Sequence, residues 1–131
     1  MSTPSNQQNT VIILGASPHR RRFSNKALRC YRDLGYRVFP IHPAAESIEG
    51  EKVYPDLASL PEKVAVLLVY VRPEIALQKI DDAVEAGVRE VVLNPGTVSP
   101  ELVTRCEELG LVVREECAIV AVGHSPSEYP D

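Results

Sequence analysis

The sequence predicts an α/β fold: a Rossmann-like, doubly wound, mainly parallel five-stranded sheet with helices on both faces. Two observations predict it. Short, wholly apolar runs alternate with stretches whose apolar residues recur at helical spacing, the pattern of strands covered on both sides by helices. In addition, "DLGYRVFP", "EAGVREVV" and "ELGLVVRE" repeat one phrase: a helix end, a glycine free to take positive φ, then a strand. The phrase is too short and irregular for a solenoid repeat. It marks βαβ units, and so parallel strands joined by right-handed crossovers.

The elements follow in order. Residues 11–14 form the first strand. Ala27, Leu28, Tyr31 and Leu34 then share one helix face, with Ser24 as the expected N-cap and Gly35 as the stop. Residues 37–41 make the second strand. Residues 42–63 read as an irregular link in which "DLASL" offers one helical turn between Pro55 and Pro61. Residues 64–71, the most apolar run, form the third strand, and Pro73 opens a helix that runs to Ala86 and stops at Gly87. Residues 90–93 are the fourth strand. Ser99 caps a helix to Leu109, Gly110 ends it, and residues 111–114 are the fifth strand. The expected strand order is 3-2-1-4-5, with ligands at the carboxyl ends near the switch between strands one and four. That rim collects Gly15, Ala16 and Ser17, then His42 and Pro43, Arg72 and Pro73, and Asn94, Pro95 and Gly96.

A chain of 131 residues holds one domain. It is expected over residues 10–122, after a disordered lead over 1–9 and before a polar, turn-rich surface tail over 123–131. The net charge of −4 argues against a general nucleic-acid binder, so Arg20, Arg21 and Arg22 form a local positive spot on an acidic protein. Cys30, Cys106 and Cys117 are odd in number and lack CxxC spacing. They suggest no disulfide frame or zinc site, read as buried structural cysteines, and fit a reducing cytoplasm. The lead "MSTPSNQQNT" lacks the apolar stretch of a secretory signal, and no apolar run is long enough to span a membrane.

The glycine turn between the first strand and the first helix, "VIILGASPHRRRFSNKAL", is the most informative stretch. Against G-x-G-x-x-G it keeps the first glycine only, with Ser17 and Arg20 in place of the others. The Walker pattern fails for want of Gly-Lys-Ser/Thr. The nucleophile elbow fails because His19 stands where its second glycine belongs. A longer loop from Gly15 to Ser24, with two hydroxyls, helix N–H groups and arginines, instead predicts a phosphate ligand. The end of strand two, "VFPIHP", has no acid to hold a ribose 2′-hydroxyl. His42, cationic or as a hydrogen-bond donor, suits a phosphate on the adenosine ribose. NADP and coenzyme A carry one; NAD does not. His19, His42 and His124 lack a local nucleophile and carboxylate, so no catalytic machinery is read.

"GASP" at 15–18, Arg22, Ser24, "LGYRVFPIHP" at 34–43, "GEKVYPDLASLPE" at 50–62, "VYVRPE" at 69–74, "NPG" at 94–96 and Cys117 together carry a resemblance. The chain resembles the stand-alone coenzyme A-binding domain family, related to the CoA-binding domain of succinyl-CoA synthetase alpha subunits and ADP-forming acyl-CoA synthetases. The resemblance implies that Gly15, Ala16, Ser17, Arg22 and Ser24 hold the pyrophosphate region. It sets His42 and Pro43 toward the phosphoadenosine, Val71, Arg72 and Pro73 beside the adenine, and Asn94 to Gly96 along the pantetheine. Two departures stand out: Ala44 where relatives commonly have lysine, and Glu115-Glu116-Cys117 where they often read Asp-Arg-Cys.

The expectation is thus a cytoplasmic single domain that binds coenzyme A or an acyl-CoA without turning it over. It takes no nucleic acid and no membrane, and has a homodimer or an unidentified protein as its macromolecular partner. The alternatives are an NADP-dependent redox enzyme or sensor acting as a dimer, and a ligand-free protein-interaction module.

Overall fold

A strand buried along its whole length needs neighbours on both edges and cover on both faces, and three such strands organise this sheet. The computed structural model describes residues 9–131, so all of the expected lead except Asn9 lies outside the described residues. The elements are β1 (Thr10–Leu14), α1 (Phe23–Asp33), β2 (Arg37–Ile41), β3 (Ser47–Ile48), β4 (Glu51–Lys52) and β5 (Val66–Val69). Then follow α2 (Pro73–Glu85), β6 (Glu90–Leu93), α3 (Pro100–Glu108), β7 (Val112–Glu115) and α4 (Ala118–Ala121), with short 3-10 turns at Leu57–Ser59 and Pro126–Glu128. β1, β5 and β6 are buried throughout.

The main sheet has five strands, all parallel, in the order β2-β1-β5-β6-β7. The Rossmann-like α/β class is as expected, but the order is not. Numbered within the main sheet it is 2-1-3-4-5, in place of the expected 3-2-1-4-5. Two physical facts decide this. All four residues of β5 are wholly buried, which an edge strand could not achieve. Pro40, which has no N–H, suits an edge. Its carbonyl accepts from Tyr54 N–H (2.9 Å) on the outer side of β2, so the missing donor falls on that side and costs the β1 ladder nothing. The chain's direction of winding therefore reverses between β1 and β5, rather than between the first and fourth strands.

Alternate strand residues feed two apolar layers. Ile12, Leu14, Leu67 and Val69 face α2 and α3, together with Phe39, Ile41 and Leu57. Val11, Ile13, Val66 and Leu68 face α1 and α4. Most of the expected helices hold their bounds: Ser99 Oγ caps α3 by accepting from Leu102 N–H (3.1 Å), and Pro73 opens α2. The start of α1 differs. Its N-cap is Arg22, with no side-chain cap, and Ser24 lies inside the first turn. Leu34, expected on the buried face, falls just beyond the helix and is exposed.

The link over 42–63 contains the β3–β4 hairpin as well as the expected turn, which Asp56 caps by accepting from Ser59 N–H (3.0 Å). α4 has no counterpart in the sequence reading, because "AIVA" is too short to show a period. The tail lies on the surface and is tied back to α1. Arg29 donates to Pro130 O (2.8 Å), Lys26 donates to Tyr129 O, and the Tyr129 ring packs on the α1 layer. Cys30 and Cys106 are buried as expected, whereas Cys117, at the N-cap of α4, keeps some exposure. Among the described residues no helix is long and apolar enough to cross a membrane.

The strand order makes a direct prediction for amide hydrogen exchange. Protection is greatest in β1 and β5 and lower in the edge strands β2 and β7. Fast exchange along Val66–Val69 would overturn the central placement of β5.

Candidate functional site

The carboxyl ends of the strands bring the sequence-predicted residues to one rim, and the turn after β1 is its fixed point. Gly15 has φ +91°, and a Cβ there would lie 2.7 Å from Val71 Cγ1 and 3.0 Å from the Tyr70 carbonyl carbon. The turn is thus seated directly on the end of β5, and a side chain is excluded by both conformation and contact. On the other side Ala16 N–H donates to Ile41 O (3.2 Å), tying the turn to β2. Ala16 is buried, so it contributes to this seat through its backbone and its packing.

The loop beyond is held from below. Asn25 Nδ2 donates to Ser17 O (2.9 Å) and to Glu49 Oε2 (3.2 Å). Ser17 Oγ accepts from His19 N–H (3.1 Å), and His19 O accepts from Arg22 N–H (3.0 Å). Arg20 engages Glu49 at 3.3 Å. Beneath it, the buried Arg29 guanidinium donates to Arg20 O (2.9 Å), Asn25 Oδ1 (2.9 Å) and Pro130 O (2.8 Å). These acceptors, and Tyr129 O at 3.4 Å, are all neutral oxygens, so a buried positive charge lies under the loop with no carboxylate partner among the described residues.

Gly15, Ser17, His19, Arg21, Arg22, Phe23, Ser24 and Tyr70 line an open depression of about 570 Å³. Arg21 and Arg22 have no side-chain partner among the described residues. α1 starts here without a capping side chain, so the N–H groups of Phe23 and Ser24 are unmet helix-end donors. Guanidinium groups without side-chain partners among the described residues, open helix N–H groups and serine hydroxyls thus meet at one glycine turn, a set of donors and positive charge that suits an anion. Of the arginine run, two members face the depression and the third ties the loop down.

The other predicted residues divide in the same way. His42 Nδ1 accepts from Ala44 N–H (3.0 Å) and Ala45 N–H (2.9 Å), so the ring's hydrogen sits on Nε2. Of the two roles weighed for His42, the geometry favours the donor. Pro43 is exposed beside it. Val71 packs under Gly15; Arg72 is the exposed N-cap of α2 and pairs with Glu74 (3.3 Å); Pro73 is the first residue of that helix. Gly96 is exposed with φ +90°.

Asn94 is at the rim, but its side chain is committed elsewhere. It is buried, donates to Val69 O (3.0 Å) and accepts from Ala118 N–H (2.8 Å). It straps β5, β6 and α4 together. Sequence reading missed Asn25, Arg29 and Tyr70. The available signal for the first two was their polarity within the α1 stretch that also carries Ala27, Leu28, Cys30 and Tyr31.

Two substitutions test this architecture. Asn94→Ala leaves the Val69 carbonyl and the Ala118 N–H without partners, and should cost roughly 2–4 kcal/mol in denaturant unfolding, with amide protection lost first in α4. Gly15→Ala should cost at least about 1–2 kcal/mol from its positive φ alone, before the contact with Val71 is counted. Full stability in either variant would remove the corresponding constraint.

Comparison with known proteins places the chain in a family. A family model described as a CoA binding domain matches residues 9–123. The alpha subunit of an ADP-forming acetate–CoA ligase II from Pyrococcus furiosus is 23% identical over 84 residues, which are 63% of this chain but only 18% of that subunit. Among solved structures, a hypothetical protein from Pyrococcus horikoshii OT3 superposes with a TM-score of 0.83 at 26% identity, covering 88% of this chain and 82% of its own. A Thermus thermophilus protein gives 0.82 at 28% identity, over 88% and 89%. The dinucleotide-forming acetyl-coenzyme A synthetase 1 of Ca. Korarchaeum cryptofilum, solved with phosphate and ADP, gives 0.72 at 29% identity, over 82% of this chain and 25% of that one. With the family model spanning nearly all of the described residues, the chain belongs to the CoA binding domain family.

Proposed function

We propose that this domain binds coenzyme A or an acyl-CoA at the carboxyl-end rim, as a cytoplasmic single domain, and does not turn it over. The observation that carries the reading is the pair Arg21 and Arg22, which have no side-chain partner among the described residues, beside the uncapped start of α1. Most other arginines described, including Arg32, Arg37, Arg105 and Arg114, have carboxylate partners. Leaving two cations free at a helix N-terminus suits an anionic ligand.

In this reading the pyrophosphate lies over Gly15 and Ser17, with Arg22 and the Ser24 hydroxyl as donors. The phosphoadenosine lies toward His42 and Pro43, with Val71, Arg72 and Pro73 beside the base, and the pantetheine runs toward Asn94 and Gly96. His42 Nε2–H is the donor for the 3′-phosphate, since Ala44 offers none. Asn94 shapes the path through its backbone. The set supplies donors, charge and shape, and so binding.

Calorimetric titration tests the reading. Arg22→Ala should weaken CoA by about ten-fold or more, the worth of a charge-assisted phosphate contact near 1.5–3 kcal/mol, with little change in melting temperature. CoA should bind more tightly than dephospho-CoA, and both more tightly than NAD. Tighter binding of NADP than of CoA would transfer the site to the redox alternative, and no binding of any of the four would leave the interaction-module alternative.

A further inference from the structure

Tyr70 follows β5 directly, and its N–H donates to Leu14 O (2.9 Å), which fixes the residue beneath the glycine turn. It lines the depression with Arg21, Arg22 and Ser24, and its ring packs on the layer that holds Ala16 and Ala118. The residue keeps some exposed surface there, but its hydroxyl is shut from solvent. That hydroxyl is the one buried side-chain nitrogen or oxygen without a hydrogen-bond partner among the described residues. Tyr31, buried in the same layer, donates to Ala118 O (2.7 Å), so the fold satisfies one phenol and leaves its neighbour unmet.

A buried hydroxyl without a partner is disfavoured, and phenylalanine would fill the same space without that cost. Burial also pushes the Tyr70 phenol well above its ordinary range, with the Cys117 and Cys30 thiols and the Tyr31 phenol adding to it. The group therefore keeps its proton and is a donor in search of an acceptor. Its surroundings decide which acceptor. Phosphate oxygens belong at the mouth, with Arg21, Arg22 and the open helix N–H groups. The enclosed, largely apolar side where the hydroxyl lies suits a neutral carbonyl and not a dianion.

Resting on the functional reading above, we infer that the Tyr70 hydroxyl donates to a carbonyl oxygen of the ligand's non-nucleotide arm, an amide or thioester. It thereby makes the site select the whole coenzyme over its nucleotide portion. The arm reaches it by parting the side chains that close over the hydroxyl in the free protein.

The test compares wild type with Tyr70→Phe in titrations with CoA and with 3′-phospho-ADP, the nucleotide portion without the arm. The substitution should weaken CoA about ten-fold and leave 3′-phospho-ADP within about two-fold. The melting temperature of the ligand-free variant should equal or exceed that of wild type, because the hydroxyl has no internal partner to lose. Equal weakening of both ligands, no weakening of either, or a lower melting temperature would each overturn the inference while CoA binding by the wild type stands. Wild-type protein that binds neither ligand would overturn the functional reading, and this inference with it.

Discussion

The seating of the Gly15 turn on the end of β5 is the constraint from which the rest of the rim follows. A glycine at positive φ lets the backbone after β1 approach Tyr70 and Val71 more closely than any side chain would permit. That approach exists only because β1 and β5 are neighbours, and they are neighbours because both are too apolar to lie at an edge. With the turn fixed there and bonded to Ile41 on the other side, the following residues must leave the sheet as a loop and re-enter as α1. The open helix end is thereby delivered over the point where the winding reverses, the place where α/β sheets receive ligands.

Charge is arranged about that point with economy. An acidic chain sets two arginines, unpartnered among the described residues, at the mouth and buries the Arg29 guanidinium beneath it. Arg29 also joins three separate segments: the loop at Arg20, the helix at Asn25 and the tail at Pro130. The geometry of the loop after Gly15 is thus coupled to a tail that lies far away in sequence. Glu49, at φ +52° in the hairpin tip, adds a fourth segment through Arg20 and Asn25. The loop is long, but it is tied at Ser17, His19, Arg20 and Arg22 and so is held in one shape.

Proximity to a rim and service to a ligand are different things. Asn94 sits where topology put it, yet both ends of its amide hold the framework. His42 uses one ring nitrogen to close its own turn and keeps the other for donation. Tyr70 was assigned no role from the sequence, but its hydroxyl is the group left unmet among the described residues.

The α/β class, most helix and strand bounds, and the glycine turn after β1 were legible in the sequence. These depend on local periodicity, on the glycine that follows each helix, and on side-chain chemistry that short stretches display. Gly15, Ser99 and Pro73 could be read singly for that reason. The tertiary structure alone decided that β5 lies beside β1, that the tail locks onto α1, that α4 forms, and which rim side chains are free. Each of these is settled by contacts between residues distant in the chain, such as Arg29 with Pro130, Asn94 with Ala118 and Tyr54 with Pro40. Pro40 hinted that β2 is an edge, but only the competition of β1 and β5 for full burial made that edge the outcome. A hydrogen bond that is committed or left open depends on the three-dimensional neighbourhood, which no spacing in the sequence records.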